Sequence, residues 1–202
     1  MRTYPIMLDV SGRPCAVVGA GPVGLRKAAG LARAGAAVRL IDPSAPDSPP
    51  SGVEPVREPY RRELLDGAVL VFACTNDASL NARVAADARA AGAWVNAADD
   101  PAHCDFYAPA TIAEGDVVVA VGTGGSAPAL AAELKRRLAR HLPERAGEFA
   151  EALARARRHV RAATADPARR ARILKRLAGA EGHRMFLEAG PDGLIRLSDE
   201  VS

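Results

Sequence analysis

The 202 residues, 49% hydrophobic and 25% charged, can bury a real core as one large domain or as a domain with a smaller companion, which excludes extensive disorder. No apolar run is long enough to cross a bilayer, and MRTYPIML is too short and too soon interrupted to read as a secretory signal. The net charge of +3 hides an uneven spread: from Lys135 to Arg176 only Glu144, Glu148, Glu151 and Asp166 oppose a long series of arginines and lysines.

In chain order, RPCAVVGAG predicts a buried strand running into a glycine turn, and Pro22–Ala34 a helix stopped at Gly35. AAVRLID predicts a second strand, PSAPDSPPSG a loop, and VEPVRE a third strand held near an edge by Pro55. Arg61–Asp66 predicts a short helix and AVLVFACT a buried strand. Leu80, Val84 and Ala88 mark a helix over Asn76–Ala91, and AWVNAAD predicts the next strand. This alternation implies a doubly wound, mainly parallel sheet of Rossmann type. It then stops. FYAPATIAEGDVVVAVGTGG predicts a hairpin joined at Glu114-Gly115, with Ser126 capping a helix from Pro128 to about Leu142. Only helices follow, broken near Asp166-Pro167 and at Gly179, with a loose tail or small extra element after Gly190. The domain reading is 1–112 for nucleotide binding, 113–143 for dimerisation and 144–202 for a helical end.

Gly19, Gly21 and Gly24 have the spacing G-x-G-x-x-G between a strand and a helix. Gly19 permits a tight turn, Gly21 lets the backbone approach a pyrophosphate, and Gly24 lets the helix pack against the strand. Pro22 and Val23 complete the loop where the helix offers its N–H groups to phosphate. Asp42, roughly 20 residues on, can accept from both ribose hydroxyls; its other reading is a turn-former before Pro43. A carboxylate there repels a 2′-phosphate, so NAD is expected over NADP. Arg39 lies within the strand and is poorly placed to hold such a phosphate.

These features accompany VFACTNDASLN, VNAADDPAHCDFYAPA and VVVAVGTGGSAPALAAELKRRL, in that order. From Tyr4 to about Leu142 the chain resembles the precorrin-2 dehydrogenase family, the dehydrogenase and chelatase module of siroheme synthase. The resemblance implies NAD-dependent oxidation of precorrin-2 to sirohydrochlorin, with Fe2+ or Co2+ insertion in some members. It also implies a homodimer built through strands of both chains. It places Arg26-Lys27 in the family's basic pair, and Cys74, Thr75, Asn76 and Asn81 in a turn beside the cofactor. Asn96 belongs to a cofactor-contacting turn whose key aspartate matches Asp99, the expected general base. Cys104, Asp105 and Phe106 match a following CDF, and Thr123, Gly124, Gly125 and Ser126 a substrate-contacting turn. Where relatives carry a serine, this chain has Ala127, which shifts any hydroxyl contact to Thr123 or Ser126.

Alternatives accompany these residues. Asp99 could be a strand-end turn residue, with Asp100 its closest competitor as base. His103 reads as a surface loop residue and Cys104 as a small buried one. The basic helices suit either a solvated surface or an anionic partner. A polycarboxylate substrate fits better than nucleic acid, because no aromatic interleaves the arginines to stack on bases. Cys15, Cys74 and Cys104 are far apart with no CxxC, which argues against a disulfide framework or thiolate zinc site and suggests the cytoplasm. No protein metal site, nucleic acid or membrane partner is expected. The competing function is a regulatory NAD-binding module without chemistry, which would not need the VNAADDP and VGTGGSAP turns.

Overall fold

Strands with both faces covered build the first half of the chain. In the computed structural model, which describes residues 3–98, 100 and 104–200, the elements run β1 (Pro14–Val18), α1 (Pro22–Arg33), β2 (Ala37–Ile41), β3 (Val53–Val56), a 3-10 turn (Arg62–Leu65), β4 (Leu70–Ala73), α2 (Ala78–Ala90) and β5 (Trp94–Ala97). All five strands are parallel, in the order β3-β2-β1-β4-β5. Alternate residues of β1 serve opposite cores. Ala16 and Val18 join Val71, Val95 and the α2 residues Val84, Ala85 and Ala88, whereas Cys15 and Val17 join Leu40, Phe72 and Ala28 of α1. Burial on both faces is why β1 and β4 read as unbroken apolar runs. Pro55 sits on edge strand β3, where a missing N–H costs no ladder bond on the open side. Gly35, at φ 81°, ends the turn after α1 as expected. Helix α2 begins two residues later than expected, because the Asp77 carboxylate accepts from Ser79 and Leu80 N–H and so caps it.

This alternating unit spans Met1–Ala108, and a second compact unit spans Pro109–Ser202. The second opens with the expected hairpin, β6 (Ala110–Glu114) and β7 (Val117–Val121), antiparallel about a Gly115-Asp116 turn. Then come α3 (Pro128–Ala139), α4 (Ala146–Ala163), α5 (Pro167–Leu177) and α6 (Ala180–Glu200). Phe149, Ala152, Ala156 and Val160 of α4 pack with Ile173, Leu177, Phe186, Leu194 and Leu197. Gly147 lets the hairpin tip meet the start of α4, since a Cβ there would lie 2.6 Å from the Glu114 carbonyl oxygen.

Three expectations change in this unit. The α3 N-cap is Ala127 rather than Ser126: the Ser126 hydroxyl turns back to donate to the Thr123 carbonyl at 2.7 Å, and Thr123 Oγ1 accepts from Ala127 N–H at 3.2 Å. Helix α3 ends at Ala139, three residues before Leu142. The segment after Gly190 is no loose tail. Gly190, at φ 63°, and Pro191 break α6, but the helix resumes and buries Leu194 and Leu197 in the core. No described helix is long and apolar enough to cross a membrane.

Candidate functional site

Strand register sets the site. Val18 of β1 pairs with Ile41 of β2 and Ala73 of β4, and Ala73 pairs with Ala97 of β5. The four strands therefore end level, and the next residues, Gly19, Asp42, Cys74 and Ala98, form a row along the carboxyl edge. Backbone bonds continue each ladder by one step: Gly19 N–H to Ile41, Cys74 N–H to Val18 and Ala98 N–H to Ala73. Open parallel sheets bind ligands at this edge, where the strand order reverses about β1 and β4.

The three loop glycines have separate duties. Gly19 has φ 105°, and a Cβ on it would lie 2.6 Å from the Cys74 carbonyl oxygen. A Cβ on Gly24 would lie 1.9 Å from the Gly19 carbonyl oxygen, so the helix sits on the turn itself. A Cβ on Gly21 would meet nothing within 4 Å. Gly21 thus faces open space, the shape expected of a backbone approached by a ligand rather than by another part of the chain. It is also the N-cap of α1 and makes no side-chain cap bond. Pro22 has no N–H, so Val23 and Gly24 carry the first-turn donors that no helical carbonyl satisfies. Pro22 and Val23 are exposed beside them. A dinucleotide pyrophosphate fits this cradle, with the positive end of the helix toward it.

Asp42 has a task that spacing did not reveal. Its Oδ2 accepts from Ala20 N–H and its Oδ1 from Ser44 N–H, both at 2.7 Å. The carboxylate therefore ties the glycine loop to the end of β2, while each oxygen retains a lone pair for a ribose hydroxyl. Arg39 donates to the Asp66 carbonyl at 2.6 Å, away from any such role.

At the end of β4, buried Asn81 clamps the turn. Its Oδ1 accepts from Thr75 N–H at 3.0 Å and from Thr75 Oγ1 at 2.8 Å, and its Nδ2 donates to the Thr75 carbonyl at 2.9 Å. Asn76 stands exposed at the tip. Asn96 on β5 donates to the Phe106 carbonyl at 2.9 Å and contacts Cys104 Sγ at 3.4 Å. Its amide thus fastens the returning chain. Asp105 does the same from the other side, accepting from Val95 N–H at 3.0 Å and pairing with Arg89 at 2.9 Å. The Cys104 thiol donates to the Ala97 and Asp100 carbonyls. Its burial raises the thiol pKa, which suits the small buried residue expected.

The sheet edge gathers Gly19, Gly21, Pro22, Val23, Gly24, Asp42, Thr75, Asn76 and Asn96. Asp99, with Pro101 and His103, lies outside the described residues. Thr123, Gly124, Gly125 and Ser126 belong to the second unit, where positive φ at Gly124 and Gly125 shapes the turn between β7 and α3. Among the described residues no three His, Cys, Asp or Glu side chains gather as a metal would require. Part of the basic stretch is paired, Arg136 and Arg137 with Glu133, Arg145 with Glu148 and Arg176 with Glu181, as on a solvated surface.

Comparison with known proteins agrees with this geometry. The chain is 35% identical over 200 residues to siroheme synthase of Nitrosococcus oceani, covering 96% of this chain and 40% of that protein. It is 38% identical over 207 residues to that of Methylococcus capsulatus, covering 100% and 44%, and 40% identical over 167 residues to that of Pseudomonas entomophila, covering 80% and 36%. The chain thus spans about two fifths of the length of the curated relatives it matches. A solved structure titled SirC, precorrin-2 dehydrogenase, superposes with a TM-score of 0.75 over 98% of this chain and 100% of that one, at 20% identity, and shares the fold. The likeness to siroheme synthase read from the motifs is borne out. A family model described as NAD(P)-binding matches residues 6–110, which include the glycine loop, Asp42 and the clamped turns of β4 and β5, and the chain belongs to that NAD(P)-binding family.

Proposed function

We propose that the chain oxidises precorrin-2 to sirohydrochlorin with NAD+ as hydride acceptor. The observation that carries this reading is a dinucleotide cradle, Gly19 to Gly24 with Asp42, in a chain 35–40% identical to siroheme synthases across both of its units. The SirC fold, whose title names the same oxidation, supports it. A bound nicotinamide supplies the hydride acceptor. Gly21, Val23 and Gly24 hold the phosphates, Asp42 the adenosine ribose, and Thr75, Asn76 and Asn96 line the nicotinamide side. The macrocycle loses two hydrogens, one as hydride and one as a proton, and Asp99 takes the proton. The Thr123–Ser126 turn contacts the substrate, and exposed arginines of the later helices meet its carboxylates. The first unit then serves cofactor binding, the hairpin and α3 serve dimerisation, and the later helices give support, which moves the first boundary of the 1–112, 113–143 and 144–202 division to 108 so that β6 stays whole. With no disulfide among Cys15, Cys74 and Cys104, the cytoplasm suits this chemistry.

Purified protein given precorrin-2 and NAD+ should produce NADH. NAD+ binding without turnover would instead assign a regulatory module. The same assay with sirohydrochlorin and Fe2+ or Co2+, without NAD+, separates metal insertion from oxidation.

Asp42 also sets the choice of dinucleotide. NAD+ is expected to be used far better than NADP+, and Asp42→Ser should narrow that gap by removing a charge that repels the 2′-phosphate. Because Asp42 also anchors Ala20, this variant should lose some NAD+ affinity as well. Equal kcat/KM for the two cofactors in the wild type would refute the assignment.

Assembly as a homodimer rests on the second unit. Leu130, Leu134 and Leu138 recur every fourth residue on α3 and are all exposed, and the β6-β7 hairpin forms a two-stranded sheet with open edges. An apolar helical stripe beside open strand edges suits pairing with a second copy of the same surface. Light scattering should give twice the chain mass at micromolar concentration, and Leu134→Glu should shift it to one.

A further inference from the structure

Lys27 is a half-buried cation in apolar surroundings. It follows Gly24 by three residues and precedes buried Ala28, so it lies toward the sheet-facing side of α1. Its ammonium stands 5.2 Å from the centre of the Phe72 ring, and Phe106 packs edge-on against that ring at 5.3 Å. Burial holds the lysine pKa below its ordinary value. The Cys74 thiol opposes that shift, Arg26 adds to it, and the Cys104 thiol again opposes it. Among the described residues no carboxylate lies within ion-pair distance of the ammonium. A lysine serving only to pack would turn its head to water. This one is held against β4, two strands from Asp42 and a helical turn beyond the N–H groups that suit phosphates.

We propose that Lys27 receives a carboxylate of the substrate on the β4 side of the cofactor edge. The inference rests on the reading of the substrate as a polycarboxylate macrocycle. The first turn of α1 already serves the phosphates, and Asp42 serves the far ribose. An anion suited to a half-buried ammonium at β4 is one of the eight carboxylates of precorrin-2. A carboxylate arriving there stabilises the charged lysine and opposes the effect of its burial.

The probe is uroporphyrin, a stable and fluorescent macrocycle with eight carboxylates. It is titrated into the full chain, with NAD+ binding and melting temperature measured alongside. Lys27→Met, which keeps the length and removes the charge, should weaken uroporphyrin binding about tenfold, the worth of one charge-assisted bond. It should also leave NAD+ affinity within about twofold, without lowering the melting temperature. Lys27→Arg should restore most of the affinity. The proposal is overturned if the wild type does not bind uroporphyrin, or if Lys27→Met binds it as tightly. A parallel loss of NAD+ affinity would place Lys27 on the cofactor instead, and a lower melting temperature with unchanged binding would make it a brace for Phe72. If uroporphyrin binding depends on Lys27 but no NADH forms from precorrin-2, the oxidation reading fails and the carboxylate seat stands.

Discussion

Gly21→Ala is expected to keep the fold intact and to weaken NAD+ binding by about tenfold to a hundredfold, whereas Gly24→Ala should lose binding and stability together. Gly21 has φ −67° and ψ 176°, an extended conformation that alanine adopts without strain, and its new methyl would meet nothing within 4 Å. Among the described residues it displaces nothing, which leaves a ligand to crowd. Phosphate bonds from backbone N–H groups are charge-assisted, worth about 1.5–3 kcal/mol each, and tenfold in affinity is about 1.4 kcal/mol. Losing one such bond accounts for the expected range. Gly24 differs because its added carbon would stand 1.9 Å from the Gly19 carbonyl oxygen and 3.4 Å from Val17. Helix α1 would have to lift off β1, and overpacking of that kind costs about 1–3 kcal/mol or more. Thermal melts and calorimetric NAD+ titrations of both variants decide the matter. Equal loss of stability in both would mean that Gly21 also serves internal packing, and unchanged NAD+ affinity for Gly21→Ala would remove the phosphate from that loop.

The contrast between these glycines marks how far the sequence could be read. Spacing located all three, because a strand, a tight turn and a helix need them in that order. It also told the packing glycine, Gly24, from the open one, Gly21, but not that Gly19 would be pressed against the Cys74 carbonyl, since that depends on where the end of β4 passes. Asp42 is similar: its distance from the loop was legible, but its bonds to Ala20 and Ser44 arise only when β1 and β2 end level. Asp105 entered only through resemblance to a family pattern. Its bonds to Val95 and Arg89 join β5, α2 and a returning loop, contacts that no local periodicity encodes. Where local chemistry misled, a neighbour competed. Ser126 is a sound N-cap residue by type, yet Thr123 three residues earlier drew its hydroxyl back into the glycine turn. Gly190 and Pro191 do break a helix, but Leu194 and Leu197 carry enough apolar surface to restart it against the core.

Asp99→Ala should retain fold, dimer and NAD+ affinity while losing dehydrogenase turnover by about 10²–10⁴, the usual worth of a positioned general base. Asp99 itself lies outside the described residues, and Ala98 and Asp100 flank it. On one side, Ala98 is bonded to Ala73 at the carboxyl edge of β5. On the other, Cys104 bonds Ala97, Asp105 bonds Val95, and Asn96 bonds the Phe106 carbonyl. Four hydrogen bonds thus hold the described residues on either side of Asp99. Asp99 is proposed as the base from its place in the sequence just after β5, whose carboxyl end lies on the cofactor edge. Asp100 is the natural control. It is half-buried, its N–H reaches the Ala97 carbonyl at 3.4 Å, and its carbonyl accepts the Cys104 thiol. Its backbone is thus part of the anchor, and Asp100→Ala, which keeps that backbone, should cost turnover far less. Asp99→Asn keeps the shape and hydrogen-bonding capacity without the basicity, so it should be as inactive as Asp99→Ala. Turnover of the three variants with saturating NAD+, beside NAD+ affinity and light scattering, distinguishes the cases. An active Asp99→Asn would show that the residue shapes the turn and takes no proton, and a larger loss at Asp100 would move the base by one residue.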